Sequence, residues 1–128
     1  MSRILLIETD SILANNLQKF LKCLGHEVDW HVDPQLAVFG ADEHKPDIVI
    51  LDLMLAGRSG VEFLYEFRSY PDWQSLPVVV FSNVSERELG QCISSFPQLN
   101  ISAYHYKPQT TLKQLAQTLD SFLQPAHA

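Results

Sequence analysis

Polar residues close four apolar runs in this chain, and their types could do chemistry together. Glu8 and Asp10 follow Arg3-Ile4-Leu5-Leu6-Ile7, Asp52 follows Asp47-Ile48-Val49-Ile50-Leu51, Ser82 follows Val78-Val79-Val80-Phe81, and Lys107 follows Tyr104-His105-Tyr106. A lone aspartate after a strand is read as a cap or a loop hydrogen-bond acceptor. Three carboxylates, a hydroxyl and an ammonium at such positions ask for a common explanation. Carboxylates held close together repel and raise one another's pKa unless a cation neutralises them. Oxygen donors select a hard cation, so Mg²⁺ is expected, with Mn²⁺ as a substitute; Mg²⁺ keeps several waters and leaves a side open for phosphate. A carboxylate flanked by such a cation can attack phosphorus. The ammonium and the hydroxyl can then hold the transferred phosphoryl oxygens. The expected chemistry is formation and hydrolysis of an acyl phosphate on Asp52.

The elements that must position these groups alternate. Arg3–Ile7 reads as a buried strand, and Asp10 or Ser11 caps a helix with Leu13, Leu17, Phe20, Leu21 and Leu24 on one face and Gly25 as its stop. Glu27–Val32 is a more exposed strand, and Asp33-Pro34 opens a helix through about His44. The run ending at Leu51 is unbroken and aliphatic, as in a parallel strand covered on both faces. Ser59 caps a helix carrying Val61, Phe63, Leu64 and Phe67; Leu76–Phe81 is the fourth strand. Ser85–Phe96 is the weakest helix, with Gly90 and Ser94-Ser95 lowering its propensity. Ile101–Tyr106 is the fifth strand, and Thr110 or Thr111 caps a last helix with Leu112, Leu115, Ala116, Leu119, Phe122 and Leu123 inward.

This pattern predicts an α/β fold: a five-stranded parallel sheet, order 2-1-3-4-5, flanked by five helices. That order sets the ends of the first and third strands side by side. Glu8 and Asp10 are therefore expected to meet Asp52, with Ser82 and Lys107 arriving from the fourth and fifth strands.

With 128 residues the chain is read as one domain over 1–124 with a short tail over 125–128. A formal charge of −6 argues against direct nucleic-acid binding, because no basic surface is available to displace phosphate counterions. Cys23 and Cys92 stand far apart without a CxxC, and the five histidines lack metal-ligand spacing. No apolar run is long enough to span a bilayer and no signal peptide precedes the first strand, so a cytoplasmic protein without membrane contact is expected. Trp30 and Trp73 are read as structural, with neither placed to report on the acidic cluster.

The motifs ILLIETD, PDIVILDLMLAGRSG, PVVVFSN and YHYKP, in this order, resemble those of the response-regulator receiver domains of two-component signalling, a CheY-like, flavodoxin-like (βα)₅ family, over essentially the whole chain. The resemblance implies that Asp52 is the phospho-acceptor, that Glu8 holds the metal through water and that the backbone carbonyl of Met54 is a further ligand. It implies that Ser82 moves onto the phosphoryl group, that Lys107 pairs with it and that Tyr104 is the switch aromatic. Pro108 resembles a family proline whose preceding peptide bond is usually cis. It also implies a histidine kinase or phosphotransfer protein as phosphoryl donor, and an acceptor that assists its own chemistry rather than a dedicated enzyme.

The departures carry weight. The acid that binds the metal directly in the family falls on Thr9, and Asp10 matches a third, supporting position. Loss of one anionic ligand predicts weaker Mg²⁺ binding, with Thr9 offering only a neutral hydroxyl. Asn83 stands where the family has a small residue beside the acceptor, and Ala56 replaces a loop proline. Two functions follow: a phosphorylatable switch that alters partner affinity, and a receiver-like interaction module working without phosphate. An aspartyl-phosphate phosphatase is disfavoured, since Met54 rather than Asp stands two residues after Asp52. GQCISSF, NISAYHY and LKQLAQTLDSF are nearly devoid of Arg, Lys and Asp, so no charge-latched dimer is expected, leaving a monomer or weak dimer; the downstream partner is not specified.

Overall fold

The computed structural model describes residues 2–55, 58–85, 87–88 and 99–123. Five parallel strands form the sheet: β1 (Arg3–Ile7), β2 (Glu27–His31), β3 (Ile48–Leu51), β4 (Val78–Ser82) and β5 (Ala103–Tyr106). Their spatial order is β2-β1-β3-β4-β5, the order expected from the alternating pattern. Among the described residues four α-helices flank it: α1 (Ser11–Cys23), α2 (Pro34–Glu43), α3 (Gly60–Arg68) and α4 (Leu112–Leu123). The helix expected over Ser85–Phe96 lies mostly outside the described residues. Its start is visible as a reciprocal cap, in which Glu88 N–H donates to Ser85 Oγ and Ser85 N–H to Glu88 Oε1.

The sheet is coated on both faces because its three central strands are apolar without a break over Ile4–Ile7, Ile48–Leu51 and Val78–Phe81. Leu5, Ile7, Val49, Leu51, Val78 and Val80 pack against Ala37, Val38 and Ala41 of α2 and Phe63, Leu64 and Phe67 of α3. The alternate residues Ile4, Leu6, Ile48, Ile50, Val79 and Phe81 meet Ala14, Leu17 and Leu21 of α1 and Leu115 and Leu119 of α4. This is the two-sided burial a parallel sheet requires.

Local chemistry sets the helix ends. Asp10 Oδ1 accepts from the N–H groups of Ile12 and Leu13, Asp33 accepts from Gln35, and Ser59 accepts from Glu62. Gly25, at φ +94°, supplies the left-handed turn after α1. Leu24 occupies the C-cap and is 50% exposed, so it leaves the buried stripe on which it was expected.

The loop after β3 closes as a short antiparallel ladder, Met54–Leu55 with Arg58–Ser59, and α3 begins at Gly60 directly beneath it. Gly60 is needed for closeness. A Cβ there would lie 2.6 Å from Leu53 Cα and 2.9 Å from the Asp52 carbonyl oxygen, both backbone atoms that cannot rotate away. Gly60→Ala is therefore expected to lower stability by about 1–3 kcal/mol. A urea midpoint unchanged from wild type would show that the loop yields freely.

Candidate functional site

The sheet register brings the chemistry together. Ile7 lies opposite Leu51, so the next residues, Glu8 and Asp52, leave adjacent strands at the same level. Both are buried, Glu8 at 1% and Asp52 at 4% exposure. Ser82 lies opposite Tyr106, which puts Lys107 just past the end of the edge strand. Its side chain crosses the Phe81 ring at 5.7 Å from the centroid and returns to the middle of the sheet. There Nζ stands 2.8 Å from Glu8 Oε1 and 2.9 Å from Asp52 Oδ2. Asp52 Oδ1 accepts from the Met54 N–H at 3.0 Å.

Asp10 contributes its amide rather than its carboxylate. Asp10 N–H donates to Glu8 Oε2 at 3.1 Å, while Oδ1 is engaged by the first turn of α1. The expected convergence of three carboxylates is thus a convergence of two around one ammonium. The helix N-terminus competes for the third through two amide donors and a favourable dipole. Among the described residues no group of three or more His, Cys, Asp or Glu is arranged for a metal ion.

Thr9 Oγ1 faces the Met54 carbonyl oxygen at 3.5 Å. Ser82 is fully buried, and its Oγ accepts from Val84 N–H at 3.2 Å in a local turn, without a bond to Asp52 or Lys107. The Tyr104 hydroxyl donates to the Val84 carbonyl, tying β5 to the loop that follows β4. Asn83 is exposed at that loop. The peptide bond before Pro108 is trans, against the cis bond expected: Pro108 sits in a 3₁₀ turn, Lys107–Gln109, where its ring presets the helical φ, and trans is also the lower-energy isomer.

Burial pushes the Glu8 carboxyl up to about 7; its bonds to Lys107 and to the Asp10 amide oppose the rise, and neighbouring Asp52 adds to it. Burial alone would lower the Lys107 ammonium, but hydrogen bonds to Glu8 and Asp52 and their charges outweigh it, and its pKa is raised. Without divalent cation, the folded chain binds the Glu8 proton more tightly than the unfolded chain does. The resulting stabilisation is full below the ordinary value of 4.5 and is lost as pH rises through about 7. Unfolding free energy measured in EDTA is expected to decline across that window, and Glu8→Gln to flatten it. A slope unchanged in the variant would assign the decline to another group.

The site's donors are all oxygen, from Asp52, Glu8, the Met54 carbonyl and Thr9. Two of them, Glu8 and Asp52, already hold a cation in the form of the Lys107 ammonium. The set fits a hard divalent ion, with one anionic donor fewer than three carboxylates would give.

Two features escaped the sequence reading. Trp30 Nε1–H donates to the Glu8 carbonyl oxygen at 2.8 Å, so this tryptophan, expected to lie apart from the acidic cluster, is one hydrogen bond from it. The backbone register Leu6↔Trp30 sets this contact. Arg68 is buried and donates to the carbonyl oxygens of Leu99, Trp73, Leu76 and Asn100 at 2.6–2.9 Å. Its spacing of four from Leu64 placed it on the apolar stripe of α3, which was the available signal.

The sequence model of the response regulator receiver domain matches residues 4–119. The chain belongs to this family. It is 39% identical over 80 residues to the transcriptional regulatory protein QseB of Haemophilus influenzae, covering 62% of this chain and 35% of that one. The receiver spans about a third of the length of the curated relatives it matches. Among solved structures, the chemotaxis protein CheY4 of Vibrio cholerae superposes with a TM-score of 0.84 at 20% identity, over 96% of this chain and 99% of that one. The response regulator TrrA of Thermotoga maritima, in complex with Mg²⁺ and BeF, does so with a TM-score of 0.80 at 23% identity, over 96% and 100%. These likenesses confirm the CheY-like fold, and the family places the chain in phosphorelay signal transduction. Among the described residues no helix is long and apolar enough to cross a membrane.

Proposed function

We propose that this receiver accepts a phosphoryl group on Asp52 from a histidine kinase or phosphotransfer protein and thereby changes its affinity for a downstream partner. The observation that carries the reading is the setting of Asp52. It is a buried carboxylate at the carboxyl end of the central strand, with Lys107 Nζ on one oxygen and Met54 N–H on the other. Asp52 and the Met54 carbonyl would hold Mg²⁺, with Glu8 reaching it through water and Asp10 and Thr9 in support; TrrA, of the same fold, carries that ion. Mn²⁺ would substitute. When bound, the ion would neutralise charge on the phosphoryl oxygens. Lys107 would transfer its hydrogen bond from Asp52 to a phosphoryl oxygen, and Ser82 would give up its turn with Val84 to reach another. Tyr104, bonded to the Val84 carbonyl of the same loop, would sense that movement. The receiver domain occupies 1–124 and acts in the cytoplasm as a monomer or weak dimer. It is a phospho-acceptor that assists its own chemistry rather than a dedicated enzyme.

The test is intact mass after incubation with acetyl phosphate and Mg²⁺. One phosphoryl adduct, absent without metal and absent in Asp52→Asn, is expected. A second reading, an interaction module that works without phosphate, is favoured by Thr9 and by the ammonium already balancing the two remaining carboxylates. That reading predicts no adduct even at high Mg²⁺ or Mn²⁺, with Thr9→Asp restoring it.

A further inference from the structure

Helix α2 buries Pro34, Ala37, Val38 and Ala41 against the sheet, yet its outer face is not polar throughout. Leu36 and Phe39 are 54% and 56% exposed, and three-residue spacing puts them on one side of the helix. Val32, 44% exposed, precedes the Asp33 cap and stands at the same end. Single exposed apolar residues are ordinary, but Leu36 and Phe39 lie a turn apart and Val32 stands four residues before Leu36, so the three form a patch. Within the helix and its cap the charges are of one sign, and Lys45 lies beyond the helix end. Asp33 precedes it, Asp42 and Glu43 follow at three and four residues from Phe39, and Pro34–Glu43 contains no lysine or arginine.

The face also has backing from the sheet. His31, the last residue of β2, lies so close to Gly40 of α2 that a Cβ there would come within 2.6 Å of its Nε2. The same residue's carbonyl accepts from the Glu8 N–H, and Trp30 holds the Glu8 carbonyl. The helix therefore stands on the strand that grips the buried acid of the site, and its outer surface is presented on a fixed support.

We propose that the Val32–Leu36–Phe39 face of α2 docks an amphipathic helix of a partner protein, with an apolar stripe seated on Leu36 and Phe39 and flanking lysines or arginines opposite Asp42 and Glu43. Charge complementarity selects this occupant. A second copy of the chain would bring the same acidic rim against itself, at a cost in like-charge repulsion. Helix-in-groove and helix-on-helix recognition reads apolar anchors at this spacing.

The experiment uses the isotope-labelled chain and a synthetic helical peptide of about four turns with one leucine face and one lysine face. Amide shifts are expected to concentrate over residues 32–43, and affinity to fall as salt rises. Phe39→Glu should weaken binding at least tenfold, and Asp42→Lys with Glu43→Lys should do the same without touching the apolar stripe. Ile12→Glu, at a residue 74% exposed elsewhere, should bind as wild type. Shifts centred outside α2, or wild-type affinity in the Phe39 variant or in the rim variant, would overturn the proposal. So would sedimentation showing that the free chain dimerises through this face, which would make a second copy the occupant.

Discussion

Lys107→Met is expected to bind Mg²⁺ about tenfold more tightly than the wild-type receiver while losing about 10²–10³ in the rate of phosphorylation at Asp52. The two effects have opposite signs because the ammonium has two roles. In the cation-free chain it sits 2.8 Å from Glu8 and 2.9 Å from Asp52, where it neutralises much of the charge that would attract a dication. Removing it leaves two carboxylates without a counter-ion, which raises cation affinity. During transfer, however, the same ammonium is the donor within reach of Asp52 Oδ2 and therefore of a group built on that oxygen. Loss of one such placed donor typically carries a penalty of this size. Trp30 emission supplies the binding readout through its bond to the Glu8 carbonyl. The titration belongs well above pH 7, where Glu8 is ionised. If the variant bound Mg²⁺ more weakly, Lys107 would be an organiser of the site and not a competitor for it.

Arg68→Met is expected to destabilise the fold by about 3 kcal/mol or more, a large share of the stability of a single domain. The guanidinium is buried, and burial pushes its pKa down. Among the described residues no carboxylate pairs with it. Its partners are four backbone carbonyls: Trp73 and Leu76 before β4, and Leu99 and Asn100 before β5. It thus fastens the end of α3 to the starts of two strands. Methionine would fill much of the volume but leave those acceptors without their donor, and an unmet buried acceptor costs about 1–3 kcal/mol. Lysine should recover only part of the loss, because one ammonium cannot reproduce the planar fork that spans four oxygens. Urea denaturation with both variants gives the check. A midpoint shift under about 1 kcal/mol in Arg68→Met would mean that water replaces the guanidinium.

Much of this was legible in the sequence. Unbroken aliphatic strands alternating with capped helices determined the parallel sheet and its order, because short right-handed crossovers leave few other arrangements. The positions of Glu8, Asp52 and Lys107 followed, since each stands one residue beyond a strand and strand ends share a rim. What only the tertiary structure decided concerns side chains with a choice of partner. Asp10 could serve the rim or the start of α1, and in the cation-free chain two amides of the helix hold its Oδ1. Lys107 could await a phosphoryl group or occupy the site itself, and two buried carboxylates within 3 Å drew it inward. The stripe of α3 marked Arg68 for burial, but neither Arg68 nor Trp30 gave a sign of its partners, because a backbone carbonyl leaves no mark in a sequence. Periodicity and strand order are properties of the chain; a hydrogen bond between residues about thirty apart depends on where the finished fold sets both.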